Sequence, residues 1–188
     1  MKKGTIILGV VIVIIAIIIF GSISTYNGLV QLEEKTDSSW AQVENQLKRR
    51  ADLIPNLVNT VKGFAAQEKD VLLSVTKARS GIEDAKTPQE YAQADQQLTN
   101  AIKQLNVVVE RYPELKSNEN FLNLQTQLEG TENRISVARK DYNDSVQILN
   151  ARIRNFPTNI VASIFNIEKK QYFQINEADK EVPDVKFD

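Results

Sequence analysis

The stretch LKRRADLIPNLVNTVKGF, residues 47–64, decides where one helix ends and the next begins. Lys48, Arg49 and Arg50 stand beside Asp52, and Pro55 follows three residues later. Basic side chains suit a helix C-terminus, where they face the negative end of the dipole, and Asp52 suits the N-cap of a following helix. Pro55 would then fall in a first turn, where its missing N–H costs no intrahelical bond. On this reading the chain turns a corner here, at the distal tip of a bundle. The rival is one continuous helix kinked at Pro55, because Leu47, Ile54 and Val61 keep a seven-residue phase straight through. The corner is the expected arrangement, with Arg49, Arg50 and Asp52 as candidate interaction residues.

Upstream, the chain opens with Lys2 and Lys3 and then an uncharged, mostly apolar run to about Ile23. Twenty helical residues rise about 30 Å, the hydrocarbon thickness of a bilayer. The run is longer than the apolar part of a cleaved signal peptide, and no cysteine follows for lipid attachment. It has no polar face, as a core helix would. A single-pass anchor is expected, with the bilayer as its partner. The two lysines against Lys35 alone beyond the span favour a cytoplasmic N-terminus and a domain facing outward, into the periplasm. On a continuous helix Lys48, 28 residues after Phe20, stands about 42 Å from the membrane. A lipid-headgroup role for the basic cluster is therefore set aside.

Composition narrows the chemistry. The 188 residues carry 23 Lys and Arg against 24 Asp and Glu, which leaves no footprint for nucleic acid. There is no Cys and no His, so thiol chemistry, disulfides, Cys/His zinc sites and histidine bases are excluded. No cofactor and no metal are expected. Glu129 and Glu132 share a helix face, but carboxylate metal bundles also use histidines, and these two read as solvated charges, Glu132 near Arg139. Ser74 and Lys77 spell S-x-x-K without the accompanying elements of acyl-serine enzymes. Asn143-Asp144-Ser145 is a glycosylation sequon in spelling only, set within a predicted helix.

The rest of the chain is helical in pattern. From Phe121 every seventh residue is apolar or aromatic: Leu128, Ile135, Tyr142, Leu149 and Phe156, with Leu124, Ala138, Val146 and Ile153 between. Residues 88–112 repeat the pattern through Tyr91, Leu98, Leu105 and Tyr112, started by Thr87-Pro88. Ser117 is the expected cap of the long helix. Ile54, Leu57, Val61, Val71, Leu72, Val75 and Ala78 form another face, and Tyr26, Leu29, Trp40, Val43 and Leu47 a fourth. Short connections at residues 81–87 and 113–118 favour an all-α, antiparallel up-and-down four-helix bundle over a coiled-coil rod. Glu68 sits on the seam between Val61 and Val75, either as a polar functional group or paired with a neighbouring Arg or Lys. After Pro157 a short apolar helix is expected. Tyr172, Phe173, Ile175, Val182, Val185 and Phe187 follow, either as a strap across the bundle or as a docking tail. Residues 1–23 are thus read as anchor, 24–157 as bundle, and 158–188 as short helix and tail.

With the segments in place, the chain resembles the LemA family of bacterial membrane proteins. The resemblance rests on YNGLV at 26–30, Trp40 and Val43, RRADLIPNLVNTVKGFAAQE at 49–68 and Ala78-Arg79. It continues with YPELKSNENFLNLQTQLEGTENRISVARKDYN at 112–143, Pro157 and YFQINEADKEVPDVKF at 172–187. Ala66 and Gln67 stand where the family often has His or Lys, so any metal or proton role built on that His is absent. The sequence around IFNIE also departs from a common Gly-Phe. The resemblance implies a membrane-anchored four-helix domain and no catalytic mechanism. Magnetosome-associated relatives suggest a part in organising membranes or their protein complexes. The expected function is a non-enzymatic scaffold or interaction module of the bacterial envelope, with protein partners and homo-oligomers left open. The alternative is a carboxylate- or Ser/Lys-based hydrolase or ligand-binding enzyme. Glu68, Tyr172 and Phe173 complete the candidate interaction residues.

Overall fold

The computed structural model describes residues 2–174, and those residues are all-helical, with no strand among them. The helices are α1 (Lys2–Phe64), α2 (Lys69–Asp84), α3 (Pro88–Val109), α4 (Pro113–Lys116), α5 (Glu119–Arg154) and α6 (Thr158–Ile164). Two compact units divide the chain, Met1–Ser39 with Asp144–Lys170, and Trp40–Asn143 with Gln171–Asp188. The tail positions Ile175, Val182, Val185 and Phe187 lie outside the described residues.

The expected corner at residues 47–58 is not there. α1 runs through Pro55 and ends at Phe64, and the turn comes at residues 65–68. Asp52 is therefore an exposed mid-helix residue and not an N-cap, and Lys48, Arg49 and Arg50 do not end a helix. Magnitudes explain the outcome. A proline inside a helix costs about 3 kcal/mol. Leu47, Ile54, Leu57 and Val61 are all essentially fully buried on one face of α1, each worth about 1.5–3 kcal/mol. The seam outweighs the proline, which sits on the exposed side. The expected face from Ile54 to Ala78 is consequently split between two helices. Ala65 N–H bonds the Val61 carbonyl at 2.8 Å, and Glu68 N–H bonds that of Ala65 at 3.1 Å. α2 then starts after Glu68.

In the Trp40–Asn143 unit, Val75 and Ile82 of α2, Leu98 and Leu105 of α3, Leu115 of α4, and Leu128 and Ile135 of α5 are buried with the α1 seam. α2 and α3 pack where Gly81 faces Ala94; a Cβ on Gly81 would meet that of Ala94 at 3.5 Å. The start of α3 is a full capping box. Thr87 Oγ1 accepts from Glu90 N–H, and the Glu90 carboxylate accepts from Lys86 and Thr87 N–H. Those backbone N–H groups, Lys86 first, hold the Glu90 carboxyl below the usual range. α5 is capped by Asn118, whose Oδ1 accepts from Phe121 N–H at 3.1 Å. Ser117, the expected cap, instead closes α4 with its hydroxyl on the Pro113 carbonyl.

In the other unit, Leu29 of α1, Leu149 and Ile153 of α5, and Val161 and Ala162 of α6 form a core joined by Tyr26, Leu32 and Ile167. α6 ends in a Schellman arrangement, with Ile167 N–H on the Ala162 carbonyl at 2.9 Å and Asn166 at φ 54°. Asparagine tolerates that left-handed position better than other non-glycine residues. The heptad of α5 holds through Leu149 but not to Phe156, which lies past the helix end and is 81% exposed. The residue before a proline is disfavoured in helical geometry, and Pro157 stops the helix short of it. Residues 6–23 of α1 are almost wholly exposed, and this part of the helix is long and apolar enough to cross a membrane.

Replacing Pro55 with Ala restores a hydrogen bond to a continuous helix. Pro55→Ala should therefore raise the unfolding free energy by about 1–3 kcal/mol, read by urea titration in detergent. An unchanged or lowered value would speak for a turn at this proline.

Candidate functional site

The most concentrated chemistry in the Trp40–Asn143 unit is a buried ion cluster. Arg50 lies three residues after Leu47 and four before Ile54, so the helical period turns it to the same face as the apolar seam. It is 4% exposed. Its Nη1 donates to Asp95 Oδ1 of α3 and to Glu132 Oε2 of α5, each at 2.6 Å. Asp95 is buried and Glu132 half exposed. Glu132 keeps half its surface in solvent, as expected, and is also the outer arm of a three-helix cluster. Burial pushes the Asp95 carboxyl above the usual range, Arg50 pulls it back, Glu132 adds to the rise, and the net direction is upward. The Arg50 Nε–H is buried without a hydrogen-bond partner.

A groove of about 500 Å³ opens beside the cluster, lined by Arg50 of α1, Ile102 and Lys103 of α3, and Phe121, Leu128 and Glu132 of α5. One guanidinium shared by two carboxylates is already neutralised, and the lining includes no histidine or cysteine to move a proton or attack a substrate. Among the described residues no group of three carboxylates converges to hold a metal. The arrangement ties α1, α3 and α5 together through one side chain.

Glu68 is also tied down. It occupies the N-cap position of α2, and its Oε1 accepts from the Tyr112 hydroxyl at 2.9 Å and pairs with Arg111 at 3.2 Å. Gln67 Nε2 donates to the same hydroxyl at 2.8 Å. Of the two sequence readings, pairing with a neighbouring cation describes it. Tyr112 leaves the apolar seam of α3, which stops at Val109, to make this contact.

The described part of the tail folds back as a strap. Asn150 Nδ2 donates to the Lys170 carbonyl and its Oδ1 accepts from Lys170 N–H, at 2.9 and 3.0 Å. The Lys170 ammonium meets Glu33 and Asp37. Burial disfavours its charge, but the two carboxylates outweigh that, and its pKa is raised. One heptad earlier on α5, Asn143 makes the same two-point clamp on Phe173, at 3.1 and 2.9 Å. The Tyr142 hydroxyl bonds the Gln171 carbonyl. Phe173 is buried, its ring 6.2 Å from Trp40, which also meets Tyr91 and Tyr142.

Of the six candidates, then, Arg50 and Phe173 are interior, Glu68 and Tyr172 are half-buried, and Arg49 and Asp52 are exposed on α1. The structure does not gather them into one site. Sequence reasoning missed Asp95, Asn143 and Asn150. Asp95 carried a signal, because it lies four residues after Tyr91 and three before Leu98, on the apolar face of its helix.

Residues 39–187 match the sequence model of the LemA family. The chain is similar to the magnetosome proteins MamQ 2 and MamQ 1 of Paramagnetospirillum magneticum, each 29% identical over 175 residues, covering 79% of this chain and 64% of theirs. It is also similar to Protein LemA of Metamycoplasma hominis, 24% identical over 173 residues, covering 90% of this chain and 78% of that one. The chain thus spans a little under two thirds of the length of the MamQ relatives. None of these names is that of an enzyme.

Removing one partner of a buried ion cluster leaves an uncompensated charge. Arg50→Ala should lower the unfolding free energy by about 3–5 kcal/mol, whereas Arg50→Met combined with Asp95→Leu should recover most of that loss. Asp95 binds its proton more tightly folded than unfolded, so its contribution is favourable in acid and falls as pH rises through its raised pKa. The stability of the natural chain relative to Asp95→Asn should therefore decline as pH rises above the ordinary aspartate range, about pH 4, measured by urea unfolding from acid towards neutral pH. A difference that grows with pH would mean that the Arg50 attraction dominates.

Proposed function

We propose that this chain, which belongs to the LemA family, is a membrane-anchored, non-catalytic protein that serves as a scaffold or interaction module in a bacterial envelope. One observation carries the reading. The N-terminal part of α1 is an apolar length whose large side chains, from Ile6 to Ile23, are left exposed. Such a surface is stable where lipid replaces water. The helices of the Trp40–Asn143 unit are read as an antiparallel up-and-down four-helix bundle, for which the shared Arg50 cluster and the α2–α3 contact give support. The anchor holds the helical domain outside the cytoplasm, with Lys2 and Lys3 on the cytoplasmic side. Its partners are other membrane proteins, met by exposed helix faces such as the one bearing Arg49 and Asp52. Relatives named as magnetosome proteins fit this reading.

The test is fractionation followed by protease accessibility. The full chain should remain in membranes after alkaline carbonate extraction, and a chain lacking residues 2–23 should become soluble. Protease added to intact spheroplasts should digest the domain. Release of the full chain by carbonate would overturn the anchor, and digestion only after permeabilisation would overturn the orientation. The hydrolase reading is tested separately. Ser74 is half-buried and Lys77 exposed on α2, and Ser74→Ala, Lys77→Ala and Glu68→Gln should each keep full function in cells. Loss of a measured turnover in any of them would replace the scaffold reading.

A further inference from the structure

The short helix α6 has two different faces. Thr158, Val161 and Ala162 are buried against the core of the Met1–Ser39 and Asp144–Lys170 unit. On the opposite side Ile160 and Ile164 are exposed, and so are the flanking Phe156 and Phe165. Ile164 keeps 67% and Phe156 81% of their surface. Four large apolar side chains within ten residues, all turned outward, are costly in water.

Their position in this unit says what covers them. A groove of about 310 Å³ is lined on one wall by Ile18, Gly21, Ser22 and Thr25 of α1, and on the other by Pro157, Ile160 and Val161. The Tyr26 and Phe165 rings meet with centroids 4.4 Å apart. α6 therefore lies alongside the last two turns of the apolar stretch. A bilayer's hydrocarbon takes about 20 helical residues, so an apolar run that starts near Gly4 leaves the membrane near Ile23. α6 sits at that level.

Charge agrees with this placement. Between Ser145 and Ile167 the chain has no acidic residue, and its charges there are Arg152 and Arg154, both exposed in the last turn of α5. α1 has no charged residue from Gly4 to Leu32. Long basic side chains beside an apolar surface are the pattern of a lipid interface, with aliphatic stems over the acyl boundary and charges at headgroup phosphates.

We propose that α6, with Phe156 and Phe165, is a second membrane-contact element that lies in the bilayer interface. Its apolar face enters the acyl boundary, and Arg152 and Arg154 meet the phosphates of anionic phospholipids. The inference rests on the reading of residues 6–23 as a membrane span. It adds that this unit is attached at two places, the span and a flat apolar foot beside it. Tyr26, whose ring meets that of Phe165, is the aromatic at headgroup depth, where a ring with one polar end is favoured.

The chain contains no cysteine, so single-cysteine labelling is clean. Phe156→Cys, Ile160→Cys and Ile164→Cys are each labelled with an environment-sensitive fluorophore, and the full chain is reconstituted into vesicles of phosphatidylcholine and phosphatidylglycerol. Ile12→Cys reports on the span and Val137→Cys, an exposed position of the other unit, on water. Lipids carrying a shallow nitroxide should quench the three α6 labels roughly twofold or more, while leaving Val137→Cys unquenched. A deep nitroxide should quench Ile12→Cys. A buried Ile12→Cys label with three aqueous α6 labels overturns the interfacial helix and leaves the span standing, and a face reserved for a protein partner gives that result. An aqueous Ile12→Cys label overturns the span and this inference together. Arg152→Gln combined with Arg154→Gln should weaken quenching of the α6 labels only in vesicles that contain phosphatidylglycerol. Equal quenching there would remove the anionic headgroup from the proposal.

Discussion

One guanidinium nitrogen, on a side chain almost sealed from solvent, is shared by carboxylates from two other helices. Taking Arg50 out of water is costly, and that cost is met only while Asp95 of α3 and Glu132 of α5 both reach it. Leucine and valine seams are interchangeable to within a turn, so hydrophobic burial alone leaves several registers close in energy. A charge that must find two partners does not tolerate such slips. The arrangement also depends on α1 staying one helix past Pro55. A corner at Ala51 or Asp52 would take Ile54, Leu57 and Val61 off the face that carries Leu47 and Arg50. Proline and arginine are in this sense parts of the same constraint: the apolar seam overrides the first so that the second keeps its place.

Much of the helical pattern was legible in the residues, and the reasons are local. Thr87-Pro88 with Glu90 spells a capping box that needs no tertiary partner. The heptad from Phe121 to Leu149 is long enough to fix its own phase, and it failed only at Phe156, where Pro157 intervenes. The corner was misplaced because cap propensities near Asp52 and Pro55 are worth about a kcal/mol, while the seam that opposes them sums over four buried side chains. That sum belongs to tertiary packing and is invisible in a short window. The candidate site was less legible. Arg50 was singled out as a surface group because it stood in a basic cluster. Its spacing from Leu47 and Ile54, matched by that of Asp95 from Tyr91 and Leu98, pointed inward. The Asn143 and Asn150 clamps had no comparable signal, because each depends on where a distant strap returns.

Several polar groups among the described residues serve architecture. Arg50, Glu68, Lys170 and the two clamping asparagines each hold one element against another, and the rings around Trp40 enclose Phe173 of the strap. On the function proposed for this membrane-associated member of the LemA family, helix faces and apolar residues that lipid can cover are the working surfaces. Among the described residues, the apolar N-terminal stretch and the outward face of α6 each leave several large hydrophobic side chains open together.

The most direct test of this account is site-resolved amide hydrogen exchange on the full chain reconstituted in lipid vesicles. Residues 47–54 and 56–64 should exchange together, as one slowly opening block on either side of the proline, and residues 6–23 should be protected within the bilayer. Rapid exchange confined to residues 51–56, with slow exchange on both sides, would mean that the chain turns there and that Arg50 does not link three helices.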